Sequence, residues 1–283
     1  MKRRTFIQAG GAAMLAGMLM PNTAIASLIP SKKIGLQLYT LRDAMAKDPV
    51  ACLEQVAKIG YTELEAAGYG NEKFYGFEPA EFRSMIEDLG MRLISSHVTF
   101  DDESIGRVLE AHHNAGIEYL VWPWLSKEER SSIDKYKSFA EKCNIVGKMC
   151  IDNKMKFGYH NHDFEFYELD GRIPYDILLD ETDPGLVFME IDLYWITYAG
   201  KDPEAYFEKY PGRFELWHIK DMAGDGTKAM TEVGKGIINY AGLFEMANQA
   251  GMKEFFVEQD TIKGDVFESV KTSFEHVNNI VNA

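Results

Sequence analysis

Eight short apolar or β-rich runs, each followed by a stretch that can form an amphipathic helix, constrain this chain more than any other feature. The runs cover residues 34–39, 62–65, 92–97, 119–122, 156–160, 187–192, 214–220 and 254–259. Between them, residues 48–59, 79–89, 102–115 and 131–153 carry apolar side chains at three- and four-residue spacing, the signature of a helix with one buried face. Gly60, Gly90, Gly116 and Gly251 each stand where a helix must stop before the next strand, a position that favours a left-handed cap. Strand–helix alternation implies a parallel sheet with helical crossovers, and eight units are the number that closes a barrel. An open doubly wound sheet is the competitor, but no glycine-rich dinucleotide loop follows the first run. The expected fold is therefore an α/β (β/α)₈ TIM barrel over residues 27–283.

Residues 1–26 are set apart as an export signal. Lys2, Arg3 and Arg4 precede a run rich in Ala, Gly and Met, and Arg3-Arg4-Thr5-Phe6-Ile7 reads as a twin-arginine signal. The run is shorter than the roughly 20 residues that span a bilayer. Ala24-Ile25-Ala26 supplies a small-x-small cleavage pattern, which places the mature protein in the periplasm and off the membrane. Cleavage removes three of the 30 basic residues and none of the 44 acidic ones, leaving a net charge near −17. Such a charge excludes nucleic acid as a partner, because phosphate neutralisation dominates that binding. The three cysteines, Cys52, Cys143 and Cys150, fall in helical runs and read as buried thiols rather than a disulfide or a nucleophile.

In a barrel, polar residues at the C-terminal ends of strands converge on one face. Here those ends carry Tyr39, Glu65, His97, Trp122, His160 with His162, Asp192, His218 with Lys220, and Glu258. A solvated rim accounts for Glu65 or Lys220 taken singly. It accounts poorly for Asp192, His218 and Glu258, each of which ends an otherwise apolar strand, where an idle polar group is costly. Mixed imidazole and carboxylate suit Mn²⁺, Zn²⁺, Co²⁺ or Fe²⁺ better than an all-oxygen Ca²⁺ cage. His112, His113 and His276 fall on helices and are expected at the surface.

At these residues the chain resembles the xylose isomerase-like superfamily, in its sugar phosphate isomerase/epimerase group. The resemblance is carried by Glu65-Ala66-Ala67-Gly68-Tyr69, Ser96-His97, Tyr159-His160-Asn161-His162, Glu190-Ile191-Asp192, Trp217-His218-Ile219-Lys220-Asp221, Val233-Gly234-Lys235-Gly236 and Val257-Glu258. It implies a (β/α)₈ barrel holding one divalent ion, with Mn²⁺ the leading choice. Carried over by position, the metal ligands are Asp192, His218, Glu258 and His160, the last standing where the epimerases commonly have Glu. His162 resembles the proton-abstracting base of related dehydratases, with Glu258 as a second acid/base and Lys220 polarising a substrate oxygen. Glu65 and His97 would contact substrate, and Trp122 and Trp195 would form stacking walls. Ordinary packing is the alternative for the tryptophans, and a salt bridge to Asp221 or Glu258 for Lys220. Trp195 and Lys235 replace residues common in the epimerases, which alters the substrate wall more than the metal core.

The resemblance implies an enolate or enediolate of a keto sugar, formed for isomerisation or epimerisation. Elimination of a β-substituent from a 3-keto-glycoside or keto-cyclitol is the alternative at the same site. A sugar-binding protein without activity is the reading from another class, and a nuclease of the same superfamily is disfavoured by the charge.

Overall fold

The computed structural model describes residues 33–282. The expected export signal and its cleavage point lie outside those residues. Eight parallel strands close a barrel, as the alternation predicts. They are β1 (Gly35–Gln37), β2 (Glu63–Ala66), β3 (Arg92–His97), β4 (Tyr119–Trp122), β5 (Lys156–His160), β6 (Val187–Asp192), β7 (Leu216–Ile219) and β8 (Glu254–Val257), with β8 pairing back onto β1. The main crossover helices are α1 (Pro49–Ile59), α2 (Pro79–Asp88), α3 (Ile105–Asn114), α4 (Ile133–Asp152), α5 (Pro174–Glu181), α6 (Pro203–Lys209), α7 (Tyr240–Glu245) and α8 (Val266–Val281).

Local chemistry agrees with these boundaries. Proline opens α1, α2, α5 and α6, where a missing N–H costs nothing. Asp48, Ser132, Asp202 and Asp265 cap α1, α4, α6 and α8 by accepting from backbone N–H groups. Gly60, Gly90, Gly116 and Gly251 all adopt the expected left-handed conformation.

Inside the barrel, Ile94, Tyr119, Val121, Phe188, Leu216 and Phe256 form a cluster separate from the larger core beneath the helices. Two glycines make room for the largest of them. A Cβ at Gly158 would lie 2.4 Å from the Phe188 ring, and one at Gly35 would lie 2.5 Å from that of Phe256. Large and small residues thus interlock across neighbouring strands. Side chains alternate faces along a strand, so residues two beyond this plug also point inward. That parity delivers Glu190 and Asp192 after Phe188, His218 after Leu216, and Glu258 after Phe256 to the barrel mouth. The register completes the placement, setting Asp192 of β6 beside His218 of β7.

Two expectations fail here. His112 is not at the surface: it is fully buried, with Nδ1 on the Val108 carbonyl oxygen and Nε2 on Ser96 Oγ. Burial lowers its pKa to about 4, so it packs as a neutral ring. Trp122 does not line the cavity above the strand ends either, and borders only the one adjoining it. Its parity turns it out toward the helices, against Phe100, Phe139 and Lys142, and it is 4% exposed. The cysteines are free and buried as expected, and burial raises Cys52 and Cys150 to about 12, which leaves them inert.

Candidate functional site

The polar residues at the barrel mouth form two layers that share His218. In the upper layer, His160, Asp192, His218 and Glu258 each present a ligand atom to a common space, with all four atoms within 4.8 Å of one another. His160 Nε2 lies 3.3 Å from Asp192 Oδ2, and His218 Nδ1 lies 2.7 Å from Glu258 Oε2. All four side chains are buried.

The partners of the two imidazoles fix which nitrogen faces the cluster. His160 Nδ1 is 3.0 Å from the Pro123 carbonyl oxygen, an acceptor, so the proton sits on Nδ1 and Nε2 faces the cluster with a lone pair. His218 Nε2 is 2.6 Å from Glu65 Oε2, which leaves Nδ1 turned toward Glu258; burial would lower this ring, but Glu190, Glu258 and Glu65 outweigh it and hold it well above its ordinary value. Each ring thus gives one N–H to a fixed acceptor and aims the other nitrogen at the carboxylates, the arrangement of metal-binding histidines. His218 Nδ1 and Glu258 Oε2 are buried with no well-formed hydrogen bond, although only 2.7 Å apart. Two imidazoles and two carboxylates converging in this way fit a divalent transition metal.

Asp192 is held from several sides. Its Oδ1 accepts from Tyr194 N and Trp195 N, both at 2.9 Å, capping the short helix Leu193–Tyr198 and leaving Oδ2 for the cluster. Its own N–H donates to Asn161 Oδ1. Lys220 is 2% exposed, and its Nζ lies 3.0 Å from Asp192 Oδ2, 2.7 Å from Glu258 Oε2 and 2.9 Å from Asp260 Oδ1. Burial would raise Asp192, but Lys220 and His160 outweigh it and hold the carboxyl at about 2. Lys220 therefore pairs with Glu258, as one alternative had it. Asp221 takes a different role, accepting from Met222 N, Gly234 N, Gly236 N and Ile238 N to order the loop after β7.

The lower layer corrects the expectation for Glu65. That residue is fully buried and does not line the cavity at the mouth; it accepts from Gln37 Nε2 at 2.7 Å, Ser95 Oγ at 2.6 Å and His218 Nε2. Its place is beneath His218, orienting that ring. Glu190, of the Glu190-Ile191-Asp192 stretch and with no role expected from sequence, stands beside it, 2.6 Å from His97 Nε2 and 3.3 Å from His218 Nε2. A carboxylate two residues before Asp192 in a strand buried along its whole length was the signal for it. Burial alone would lower His97, but Glu65 and Glu190 outweigh it and hold His97 above its ordinary value.

A cavity of about 520 Å³ opens above the upper layer, lined by His97, His160, His162, Lys220, Glu258 and Trp124 among others. The ring centroids of His160 and His162 are 5.0 Å apart, so both imidazoles meet this space as period-two spacing predicts. His162 stacks on Phe164 at 5.5 Å, a ring that Arg130 also covers at 3.5 Å, and lies 5.6 Å from Trp195. Burial, then the neighbouring His160 and Lys220, lowers His162 to about 2 and keeps it neutral. Trp124 and Asp260 also line the cavity and were missed. Pro123 interrupts the strand pattern just before Trp124, and Asp260 lies past the end of β8.

Beneath His162, the buried Glu165 accepts from His162 N at 2.9 Å and from the Tyr159 hydroxyl. Burial pushes its carboxyl up to about 8, against the partial opposition of those hydrogen bonds. A raised folded pKa means that the native state binds the extra proton between about pH 4.5 and 8, so stability falls as pH rises through that window. Glu165→Gln should remove this term. The difference in unfolding free energy between pH 5 and pH 8, from denaturant titration, should then change by at least about 1 kcal/mol. An unchanged pH dependence would show that Glu165 is ionised in the native state.

A sequence profile described as the xylose isomerase-like TIM barrel matches residues 53–271. This chain belongs to that family. Among curated relatives, the inosose dehydratase of Geobacillus kaustophilus is 22% identical over 86% of this chain and 90% of its own length. That of Clostridium tetani is 27% identical over 48% of this chain and 51% of its own. Among solved structures, a sugar phosphate isomerase/epimerase from Parabacteroides distasonis is 30% identical, with a TM-score of 0.75 over 87% of this chain and 97% of that one. The IolI protein, solved with a zinc atom, shares the barrel at 14% identity, with a TM-score of 0.67 over 88% of this chain and 98% of that one. As a member of this family, the chain has an enzyme's barrel with metal-binding residue groups at the face where such barrels work.

Proposed function

We propose that this protein is a metal-dependent lyase that removes a proton beside the carbonyl of a keto-cyclitol or keto sugar and expels the β-substituent. The observation that carries this reading is the convergence of His160 Nε2 and His218 Nδ1 on the carboxylates of Asp192 and Glu258. A divalent ion held by His160, Asp192, His218 and Glu258 would supply Lewis-acid polarisation of a carbonyl, worth several kcal/mol of developing charge. Mn²⁺ is the expected ion, and a fold neighbour that holds zinc makes Zn²⁺ the first alternative.

His162 is the base. It is neutral and lies on the same side of the chain as His160. A ring so depressed is a weak base, so the C–H must be acidified by the polarised carbonyl before His162 can take its proton. The C–H electrons form the new double bond, and the β C–O bond breaks. For a hydroxyl substituent, His162 returns its proton to the departing oxygen, which leaves as water. Lys220 holds an ammonium group beside the substrate oxygens. The dehydratase relatives support this outcome over proton return. Return of the proton to the other face gives epimerisation, a second reading supported by the Parabacteroides distasonis structures. An unphosphorylated substrate suits the cavity. Among its described lining residues Lys220 is the only Lys or Arg, and three carboxylates already engage it. Such a substrate also suits the exported, periplasmic location that the twin-arginine pattern suggests.

The test is incubation of the Mn²⁺-loaded protein with 2-keto-myo-inositol and with keto sugars in D₂O, followed by NMR and mass spectrometry. Deuterium uptake beside the carbonyl and a product lighter by one water are expected. Uptake without loss of water would move the assignment to epimerisation. No uptake with any of these would overturn both readings.

A further inference from the structure

The inner cavity is larger than one sugar ring needs, and it does not end where the catalytic groups end. At roughly 30 Å³ per water, about 520 Å³ equals some 17 waters, whereas a hexose has about 12 non-hydrogen atoms. A second cavity of about 590 Å³ adjoins the first, and Thr99 and Trp124 line both. Trp124 is therefore a wall common to the two, and it is 51% exposed. Large exposed aromatic rings are few among the described residues: Tyr39, Trp124 and Tyr167. Two of these three line the inner cavity.

The walls of the second cavity are built before any ligand arrives. On one side, Asp101 and Ser104 exchange hydrogen bonds in the loop after β3. On the other, Ser126 N donates to Glu129 Oε2 at 2.9 Å, and Glu129 N donates back to Ser126 Oγ. Trp124 is anchored through its carbonyl oxygen, which accepts from Trp122 Nε1 at 2.9 Å. Its neighbour Pro123 accepts from His160 Nδ1, so the backbone that carries the indole is tied at short range to the inner site. Lys142, which rides over Trp122 at 4.7 Å, adds a donor to the same cavity. An exposed indole bordered by hydroxyl, carboxylate and ammonium groups matches a sugar, with its apolar C–H face and its ring of hydroxyls.

We propose that Trp124 and the second cavity form a subsite for a further sugar ring, so that the substrate is a glycoside or oligosaccharide of at least two rings. This rests on the inner cavity being the site of the reacting sugar. Trp124 is the specificity-determining residue, and Tyr39, at the start of the barrel, closes the inner cavity from another side.

The experiment reads binding without turnover, so its outcome is separate from that of the proton-exchange test. Saturation-transfer NMR and calorimetry on the metal-loaded full chain would compare glucose with cellobiose, maltose, lactose and trehalose. At least one disaccharide should bind about tenfold or more tightly than glucose, a difference of about 1.4 kcal/mol. In that complex both rings should receive saturation. Trp124→Ala, at an exposed position that leaves folding intact, should bring the disaccharide to within about threefold of glucose. Trp124→Phe, which keeps an aromatic face, should restore most of the difference. The proposal is overturned if no disaccharide is preferred, whether by equal affinity or by no binding at all. It is equally overturned if the preference survives in Trp124→Ala.

Discussion

Asp192→Asn should cost this protein its metal while leaving its fold in place. The substitution keeps Oδ1, which caps the Leu193–Tyr198 helix through Tyr194 N and Trp195 N. It replaces Oδ2, the atom facing His160 Nε2 and Lys220, with an amide that cannot ligate and that points its hydrogens at a cation. Substitutions of groups that merely orient a metal ligand cost roughly 10- to 100-fold in affinity, so loss of a ligand should exceed about 100-fold. Metal content after dialysis, and affinity by competition with a chelator, would measure it. Proton exchange should fall in parallel. Thermal unfolding without metal should stay cooperative because the cap is retained, at a lower midpoint because Lys220 loses one of its three carboxylates. A variant that keeps a full complement of metal at parental affinity would remove Asp192 from the ligand set.

Strand order and the inward-facing carboxylates were legible because both follow from period two and the glycine punctuation. What escaped was everything decided by the partner of a side chain rather than by its own position. Glu65 ends an apolar strand just as Glu258 does, yet Gln37 and Ser95 hold it below the mouth and His218 closes it off. No local pattern distinguishes the two. Trp122 and Trp124 have the same parity, so strand alternation alone would send both outward. Pro123 breaks the strand between them, and only the second indole reaches the inner cavity, while both border the outer one. His112 has surface spacing for its neighbour but a buried acceptor in the Val108 carbonyl and a buried partner in Ser96, which lies on a different element. Pairing across elements is invisible along the chain, and it is what turns a list of strand ends into a floor, a wall and a second layer.

His162→Ala should separate proton abstraction from metal binding, which no ligand variant can do. The ring lies outside the ligand cluster, and the contacts that set His160 do not depend on it. His160 Nδ1 donates to Pro123, and the His162 backbone N–H to Glu165 survives any change of side chain. Removing the ring takes away a stacking partner of Phe164 at 5.5 Å, but Arg130 still caps that phenyl group. Metal content should therefore match the parent. The rate of deuterium uptake beside a substrate carbonyl should fall at least about 100-fold, the usual contribution of a positioned acid or base. His162→Gln, which restores bulk and polarity without a basic nitrogen, should stay as slow as the alanine variant. Recovery in that variant would mean that the ring serves to pack the mouth rather than to move a proton. Uptake near the parental rate in both would transfer the base to Glu258, the carboxylate that lines the same cavity beside Lys220.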